Sequence, residues 1–86
     1  MKYLLVSFKS RNSTFHFSKL LNSREIYNNI INTPKSIGST CTLSIRTDMK
    51  YYHQILSLIK LASANDFLGL FTLERIGFSE QTQRLY

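Results

Sequence analysis

The stretch CTLSIRT, residues 41–47, has the clearest β-strand pattern in the chain. Apolar and polar residues alternate along it, as in a strand that places one face on a core. Cys41 is therefore expected on the same face as Leu43 and Ile45. Asp48 follows directly, and aspartate is a favoured residue at the N-cap of a helix. The stretch thus predicts a strand that leads into a helix.

Beyond Asp48, apolar residues recur at helical spacing to about residue 64. They are Tyr52, Ile55, Leu56, Ile59 and Ala62. A last strand is predicted within residues 67–76, centred on residues 70–73, and Gly77 ends it. Residues 79–86 are polar and charged, so we expect a C-terminal tail that is frayed or ordered only by a partner. The folded domain is expected to span residues 1–78.

Upstream of the quoted stretch, two strands and a helix are predicted. Residues 2–8 are rich in Tyr, Leu, Val and Phe, which indicates a strand buried on both faces. Capping residues precede a helix over residues 14–21, in which Phe17, Leu20 and Leu21 share one face. Residues 26–31 predict a second strand, and its two central asparagines favour an edge position or partial exposure.

The predicted order of elements is β-α-β-β-α-β, which indicates an α+β domain of the ferredoxin-like type. Such a domain has an antiparallel four-stranded sheet with two helices on one face. The helices would bury Phe17, Leu20, Leu21, Ile55, Leu56 and Ile59 against the sheet. We expect the other sheet face to be open, and an open face can support a homodimer.

Composition limits the possible functions of the chain. Its 86 residues suit one small domain, and a hydrophobic content of 43% is enough for a single core. No apolar run approaches the length of a membrane span or a signal-peptide core, so we expect a cytoplasmic protein. The net charge of +6 favours anionic partners. Its scattered distribution, and a third strand without aromatic residues, make nucleic acid a disfavoured alternative.

The loop between the second and third strands contains the only proline and the only cysteine. Pro34 fixes its own backbone and favours extended geometry at Thr33, and Gly38 can adopt angles closed to other residues. Lys35 lies upstream of Cys41, and nearby cations lower the pKa of a thiol. Two interpretations follow. Cys41 is either a reactive thiolate beside an anion-holding loop, or a small buried residue after an ordinary turn.

The loop also carries a family resemblance. Thr33-Pro34-Lys35 followed by Cys41 resembles the signature of the DUF3343 family, which consists of small selenium/sulfur carrier-like domains. The opening residues 3–8 and the strand at residues 43–46 also fit, so the resemblance covers roughly residues 1–76. Two positions depart from the family pattern. Lys35 stands in place of an arginine, and Thr42 stands in place of the glycine after the cysteine.

The resemblance implies a carrier that holds sulfur or selenium on Cys41 as a persulfide-type adduct. The substrate-binding loop would be formed by Thr33, Pro34, Lys35, Gly38 and Thr42, with Lys35 favouring the thiolate. A cysteine-desulfurase-like donor and an acceptor protein would be the partners, and no cofactor is implied. The choice between sulfur and selenium stays open, as does the effect of Thr42 on the site.

Other residues argue against a stand-alone enzyme. His16 and His53 are far apart, and no second cysteine or carboxylate cluster accompanies them, so we expect no metal site. A carrier or binding protein fits better. The competing hypothesis is a non-catalytic binding module. It would use the basic surface and the open sheet face to dimerise or to bind an acidic partner or RNA.

Overall fold

The computed structural model describes residues 2–34, 43–62 and 66–86. Within them the chain forms two helices and a five-stranded antiparallel sheet. The elements in chain order are β1 (Lys2–Phe8), α1 (Arg11–Ser23), β2 (Asn28–Asn32), β3 (Leu43–Asp48), α2 (Tyr52–Ala62), β4 (Phe67–Ile76) and β5 (Ser79–Arg84). A short 3-10 turn, Met49–Tyr51, joins β3 to α2, with Asp48 as its N-cap. None of the helices described is long and apolar enough to cross a membrane.

The strands lie in the order β2-β3-β1-β4-β5. The predicted α+β class and the succession β-α-β-β-α-β are confirmed, and β2 lies at one edge as expected. The predicted number of strands was wrong, because residues 79–84, expected in a tail, form a fifth strand. Gly77, with φ of 60°, makes a two-residue turn that pairs Ile76 with Ser79. A polar edge strand lacks the apolar alternation by which strands are recognised.

The main core lies between the helices and one face of the sheet. Leu4, Val6 and Phe8 project from β1 into it and are almost fully buried. They pack with Phe17 and Leu21 of α1, with Ile55, Leu58 and Ile59 of α2, and with Ile26, Ile45 and Leu70. The ring of Phe8 lies 5.3 Å from that of Phe17 and 5.7 Å from that of Phe67. Both predicted helical faces therefore contact the sheet, although Leu20 and Leu56 are only partly buried.

The second face of the sheet is not open at its centre, contrary to expectation. Leu5 is fully buried there, and Phe71 and Leu73 are 8% and 5% exposed. Tyr3 and Ile31 pack against them. The Arg84 guanidinium lies 5.7 Å from the centroid of the Phe71 ring, where its charge meets the electron-rich ring face. Part of the basic surface thus covers apolar side chains on this face.

Helix α1 begins at Arg11, before the predicted start at residue 14, because Ser10 caps it. The Ser10 hydroxyl accepts a hydrogen bond from the Ser13 backbone N–H at 3.0 Å. Asp66, just before β4, belongs to the same junction, since its backbone carbonyl accepts from the Lys9 N–H at 2.7 Å. A hydrogen bond from the Ser13 side chain, with further bonds from Ser10, lowers the pKa of Asp66 against the opposing effect of burial.

The C-terminal residues lie close over Gly69. A Cβ atom at this position would come within 3.1 Å of the Tyr86 carbonyl oxygen and 3.2 Å of the Arg84 guanidinium carbon. Arg84 uses this space to donate from Nη2 to the Leu68 carbonyl at 2.8 Å and from Nε to the Tyr86 carbonyl at 3.1 Å. The bond to Leu68 fastens the end of β5 to β4.

Replacing Asp66 with Asn tests the junction between α1 and β4. The variant should be less stable than the wild type at neutral pH, because the carboxylate accepts hydrogen bonds in the folded state. A depressed pKa means that this contribution is complete above the unfolded value of about 3.9 and is lost as pH falls through the folded value. Urea unfolding from pH 7 to about pH 2.5 should therefore show the two proteins converging on acidification.

The exposed residue Glu25 supplies the control, since Glu25→Gln removes a carboxylate for which no such bonds are seen. A stability gap for Asp66→Asn that persists unchanged at low pH would show that the carboxylate charge is not responsible.

Candidate functional site

The predicted site lies on the connection between β2 and β3. Asn32 pairs with Leu43 where the two strands meet, so the connecting residues 33–42 begin and end next to each other. Thr33 and Pro34 are described and half-buried. The other predicted site residues, Lys35, Gly38, Cys41 and Thr42, lie outside the described residues. The structure therefore describes the residues on both sides of the loop, Asn32 to Pro34 and Leu43 onward, which form its frame.

A chain of three hydroxyl groups links the start of this loop to the centre of the sheet. The Thr33 and Ser44 hydroxyl oxygens are 2.8 Å apart, and the Ser44 and Ser7 oxygens are 2.9 Å apart. Ser7 and Ser44 are both fully buried, although neither is apolar. Each hydroxyl can donate one hydrogen bond and accept others, so the chain satisfies groups that would be costly to bury alone.

The strand register explains why these hydroxyls meet. Ser7 of β1 lies directly opposite Ser44 of β3, and both point to the face without helices. Side chains of opposite residues in an antiparallel pair are close enough for hydroxyl–hydroxyl bonds. These hydroxyl–hydroxyl bonds were not predicted from the sequence. The available signal was a serine within the otherwise apolar run of β1, but the partner of that serine depends on a register that local sequence does not provide.

Strand β2, which leads into the loop, is held to α1 by an asparagine. The Asn28 amide oxygen accepts from the Ser18 hydroxyl at 2.6 Å. Its amide nitrogen donates to the Asn22 side chain and to the Ile26 carbonyl, each at 2.9 Å. The two asparagines indicated an edge strand, and β2 is an edge strand. Asn28 also stabilises the contact between β2 and α1. It fixes the position of β2 by bonds to the helix.

Among the described residues, Arg46 places a positive charge near this frame. It lies on the same face of β3 as Ser44, and its guanidinium carbon is 4.8 Å from the centroid of the Tyr3 ring. Arg46 and Tyr3 also line a cavity of about 120 Å³, together with Leu73 and Arg75. A basic, partly aromatic surface therefore lies on the same sheet face as the hydroxyl chain.

The histidines lie away from this region. His16 and His53 are exposed on α1 and α2, as expected for residues at helix surfaces. Among residues 2–34, 43–62 and 66–86, no group of three His, Cys, Asp or Glu side chains could hold a metal ion.

A comparison with protein families matches residues 2–65 to a family. The family is described as "Putative Se/S carrier protein-like". The match includes β1 to α2 and the whole connection from Thr33 to Thr42, and it ends before β4. Neither the curated proteins nor the solved structures contain a match to this chain.

Alanine substitutions at Ser7 and Ser44 should have unequal effects on stability. Ser44→Ala removes the central hydroxyl and leaves Ser7 buried without this partner, which should cost about 1–3 kcal/mol. Ser7→Ala leaves Ser44 bonded to Thr33, so the loss should be nearer 0.5–1.5 kcal/mol, roughly the net value of one hydrogen bond. The double variant should lose less than the sum of the two. Chemical denaturation measures all three.

Ser57, exposed on α2, provides the matched control, and Ser57→Ala should stay within about 0.5 kcal/mol of the wild type. Additive effects at Ser7 and Ser44 would contradict the bond between them.

Proposed function

Because the chain belongs to this family of Se/S carrier-like proteins, we propose that it carries sulfur or selenium on Cys41. The observation that carries the proposal is the match over residues 2–65, which includes the loop and the only cysteine of the chain. A carrier needs a nucleophilic atom that accepts the chalcogen and releases it. Cys41 is the one residue in this region with that chemistry.

The frame around the loop supports this role. The pairing of Asn32 with Leu43 keeps the two ends of the connection together. The hydroxyl chain fixes Thr33, and Pro34 follows with a restricted backbone. A loop anchored in this way can hold a side chain in a defined place at a lower cost in conformational entropy. A loop anchored to the sheet at both ends therefore suits the presentation of Cys41 to another protein.

The proposed loading step is an exchange between sulfur atoms. The Cys41 thiolate attacks the terminal sulfur of a persulfide on the donor protein. One S–S bond forms at Cys41, the donor S–S bond breaks, and the donor leaves as a thiolate. The exchange consumes no oxidant or reductant. A selenium atom at the terminal position would transfer in the same manner. In delivery, a nucleophile of the acceptor attacks the terminal atom of the Cys41 adduct, the bond between that atom and the Cys41 sulfur breaks, and Cys41 leaves as a thiolate.

The loop residues have separate proposed roles in this step. Lys35 favours the thiolate by its charge, and Thr33, Pro34 and Gly38 shape the approach to the sulfur. Thr42 stands in place of the glycine of the family pattern, and we propose that its larger side chain would leave less room for an incoming group. We also infer a ferredoxin-like core formed by β1 to β4 and the two helices. A cysteine-desulfurase-like donor, an acceptor protein and a reducing cytoplasmic compartment fit the chemistry.

Loading of Cys41 can be observed directly. The reduced protein is incubated with a cysteine desulfurase and cysteine, or with a small persulfide, and its intact mass is measured. The wild type should gain the mass of one sulfur atom, and the gain should disappear on reduction. Cys41→Ser should show no gain, and Lys35→Ala should load more slowly because less thiolate is present at neutral pH.

A wild type that gains nothing, or a Cys41→Ser variant that gains equally, would contradict the proposal. The pH dependence of alkylation provides a second readout. A reactive carrier thiol should titrate well below the free-cysteine value of about 8.5, whereas a buried structural thiol should react only after unfolding.

A second candidate function is binding of an acidic protein segment by the basic sheet face. The observation that favours it is the cavity lined by Tyr3, Arg46 and Arg75, in which two arginine residues line one surface. Such a surface suits carboxylate groups, which accept paired hydrogen bonds from arginine.

This candidate makes a different prediction from that of the carrier. Binding of a fluorescent polyglutamate peptide should weaken steeply with salt, should weaken further in Arg46→Ala, and should be unchanged in Cys41→Ala. Arg11→Ala, at an exposed position on α1, is the matched control and should have little effect. An RNA oligonucleotide of equal charge that binds more tightly than the peptide would favour nucleic acid instead. A peptide affinity that is insensitive to Arg46→Ala would exclude this face.

A further inference from the structure

A groove on the helical side of the domain lies between α2 and the junction of α1 with β2. Its volume is about 310 Å³. Ile26 and Leu58, which are 4% and 8% exposed, line its apolar part together with Leu61. The polar residues of its lining are Arg24, Gln54 and Ser57. The groove therefore combines buried apolar side chains with a cation.

Leu61 leaves a large apolar side chain in water at this groove. It is 80% exposed, although Leu58, about one turn earlier on α2, is buried. The lining residues of α2 form one stripe with the i, i+3, i+4 and i+7 spacing of a helical face: Gln54, Ser57, Leu58 and Leu61. A helical stripe beside a concave apolar surface is the kind of site at which an amphipathic helix of another protein docks.

The charges of the helical layer indicate the chemistry of the partner. Neither α1, RNSTFHFSKLLNS, nor α2, YHQILSLIKLA, contains an aspartate or a glutamate. Their cations, Arg11, Lys19 and Lys60, are exposed, and Arg24 follows α1 as its C-cap. Within the described part of the chain, the Arg24 guanidinium makes no hydrogen bond or ion pair. An acidic partner would therefore meet complementary charge and an arginine able to bind a carboxylate.

We propose that the groove binds an acidic amphipathic helix of a partner protein. An apolar side chain of that helix packs against Leu58 and Leu61, and a carboxylate next to it pairs with Arg24. A second copy of this chain is a poorer occupant, because its own helices would bring like charges together. RNA is also a poorer occupant, since no aromatic side chain for base stacking is among the described lining residues.

Binding at this groove does not require Cys41. The groove adjoins the start of β2, whereas the loop that contains the cysteine follows its end. Asn28 and Asn32 are four residue spacings apart along the strand, or roughly 13 Å. A partner helix in the groove would therefore lie at the opposite end of β2 from the loop. Sulfur loading of Cys41 from a small persulfide should be unchanged in Leu61→Gln, so the two proposals can fail separately.

Fluorescence anisotropy with labelled model peptides tests the apolar part of the groove. One peptide contains glutamate and alanine with leucine at helical spacing, and a second peptide of equal charge has alanine in place of leucine. The wild type should bind the first peptide more tightly, and Leu61→Gln should weaken that binding by about tenfold. Phe78→Gln is the matched control, since Phe78 is a fully exposed apolar residue outside the helices, and its affinity should equal that of the wild type.

Charge reversal tests the role of Arg24 with the same leucine-containing peptide. Arg24→Glu should weaken binding by about tenfold, because an attractive pair becomes repulsive. Arg11→Glu makes the same change in net charge at the other end of α1 and should have a much smaller effect. Equal weakening in the two arginine variants, or equal affinity of the wild type for the two peptides, would overturn the proposal. Tighter binding of an RNA oligonucleotide of equal charge would also overturn it, in favour of nucleic acid.

NMR mapping locates the bound peptide independently of affinity. Amide resonances of Gln54, Ser57 and Leu61 should shift on addition of the leucine-containing peptide, whereas those of Ser44 and Arg46 on β3 should not. Shifts confined to β3 would place the peptide on the sheet face and overturn the assignment to the groove.

Discussion

Burial of β1 on both of its faces is the constraint on which the rest of the structure depends. Residues Leu4 to Phe8 are all buried, with alternate side chains in the helix-covered core and on the opposite face. The strand also pairs with β3 on one side and β4 on the other. A strand enclosed in this way fixes the register of both neighbours, since a shift by one residue would exchange its two faces. The position of every other strand follows from that register.

The single polar member of this run, Ser7, extends the constraint to the candidate site. Its hydroxyl contacts Ser44, which contacts Thr33 at the start of the loop. The loop is therefore connected to the most buried strand by side-chain bonds as well as by the β2–β3 backbone. For a carrier this arrangement separates two requirements. The sheet supplies rigidity, and in the proposed function the connection presents the reactive atom to partners.

The sequence predicted most of the elements, because their signals are local. Alternation identified β3, the spacing of Ile55 and Ile59 identified α2, and the last strand, predicted within residues 67–76 and centred on residues 70–73, corresponds to β4. Signals that depend on distant residues were not recovered. The bonds from Ser10 and Ser13 to Asp66 were missed, because Asp66 lies next to these residues only in the fold. Strand β5 was missed because a polar edge strand has no apolar alternation, and its recognition requires the turn at Gly77.

For the candidate site, the sequence identified the loop but not the residues that hold it in place. The loop and Cys41 were identified from rare residues and a family pattern, and the family match confirms the family. Their frame was not identified, since the contact between Ser7 and Ser44 joins residues far apart in sequence. The burial of Phe71 on the second sheet face was also missed, although β1 was predicted to be buried on both faces. It depends on arginine and tyrosine side chains covering apolar neighbours, which residue type alone does not indicate.

The central position of β1 has a consequence for synthesis on the ribosome. Its pairing with β3 needs residues up to Asp48, but its other edge stays unsatisfied until the residues of β4 have emerged. The first strand of this domain is therefore among the last to be completed, because its second edge needs the residues of β4. Folding of this small domain is therefore completed only when the residues of β4 are available, even if α1 forms early.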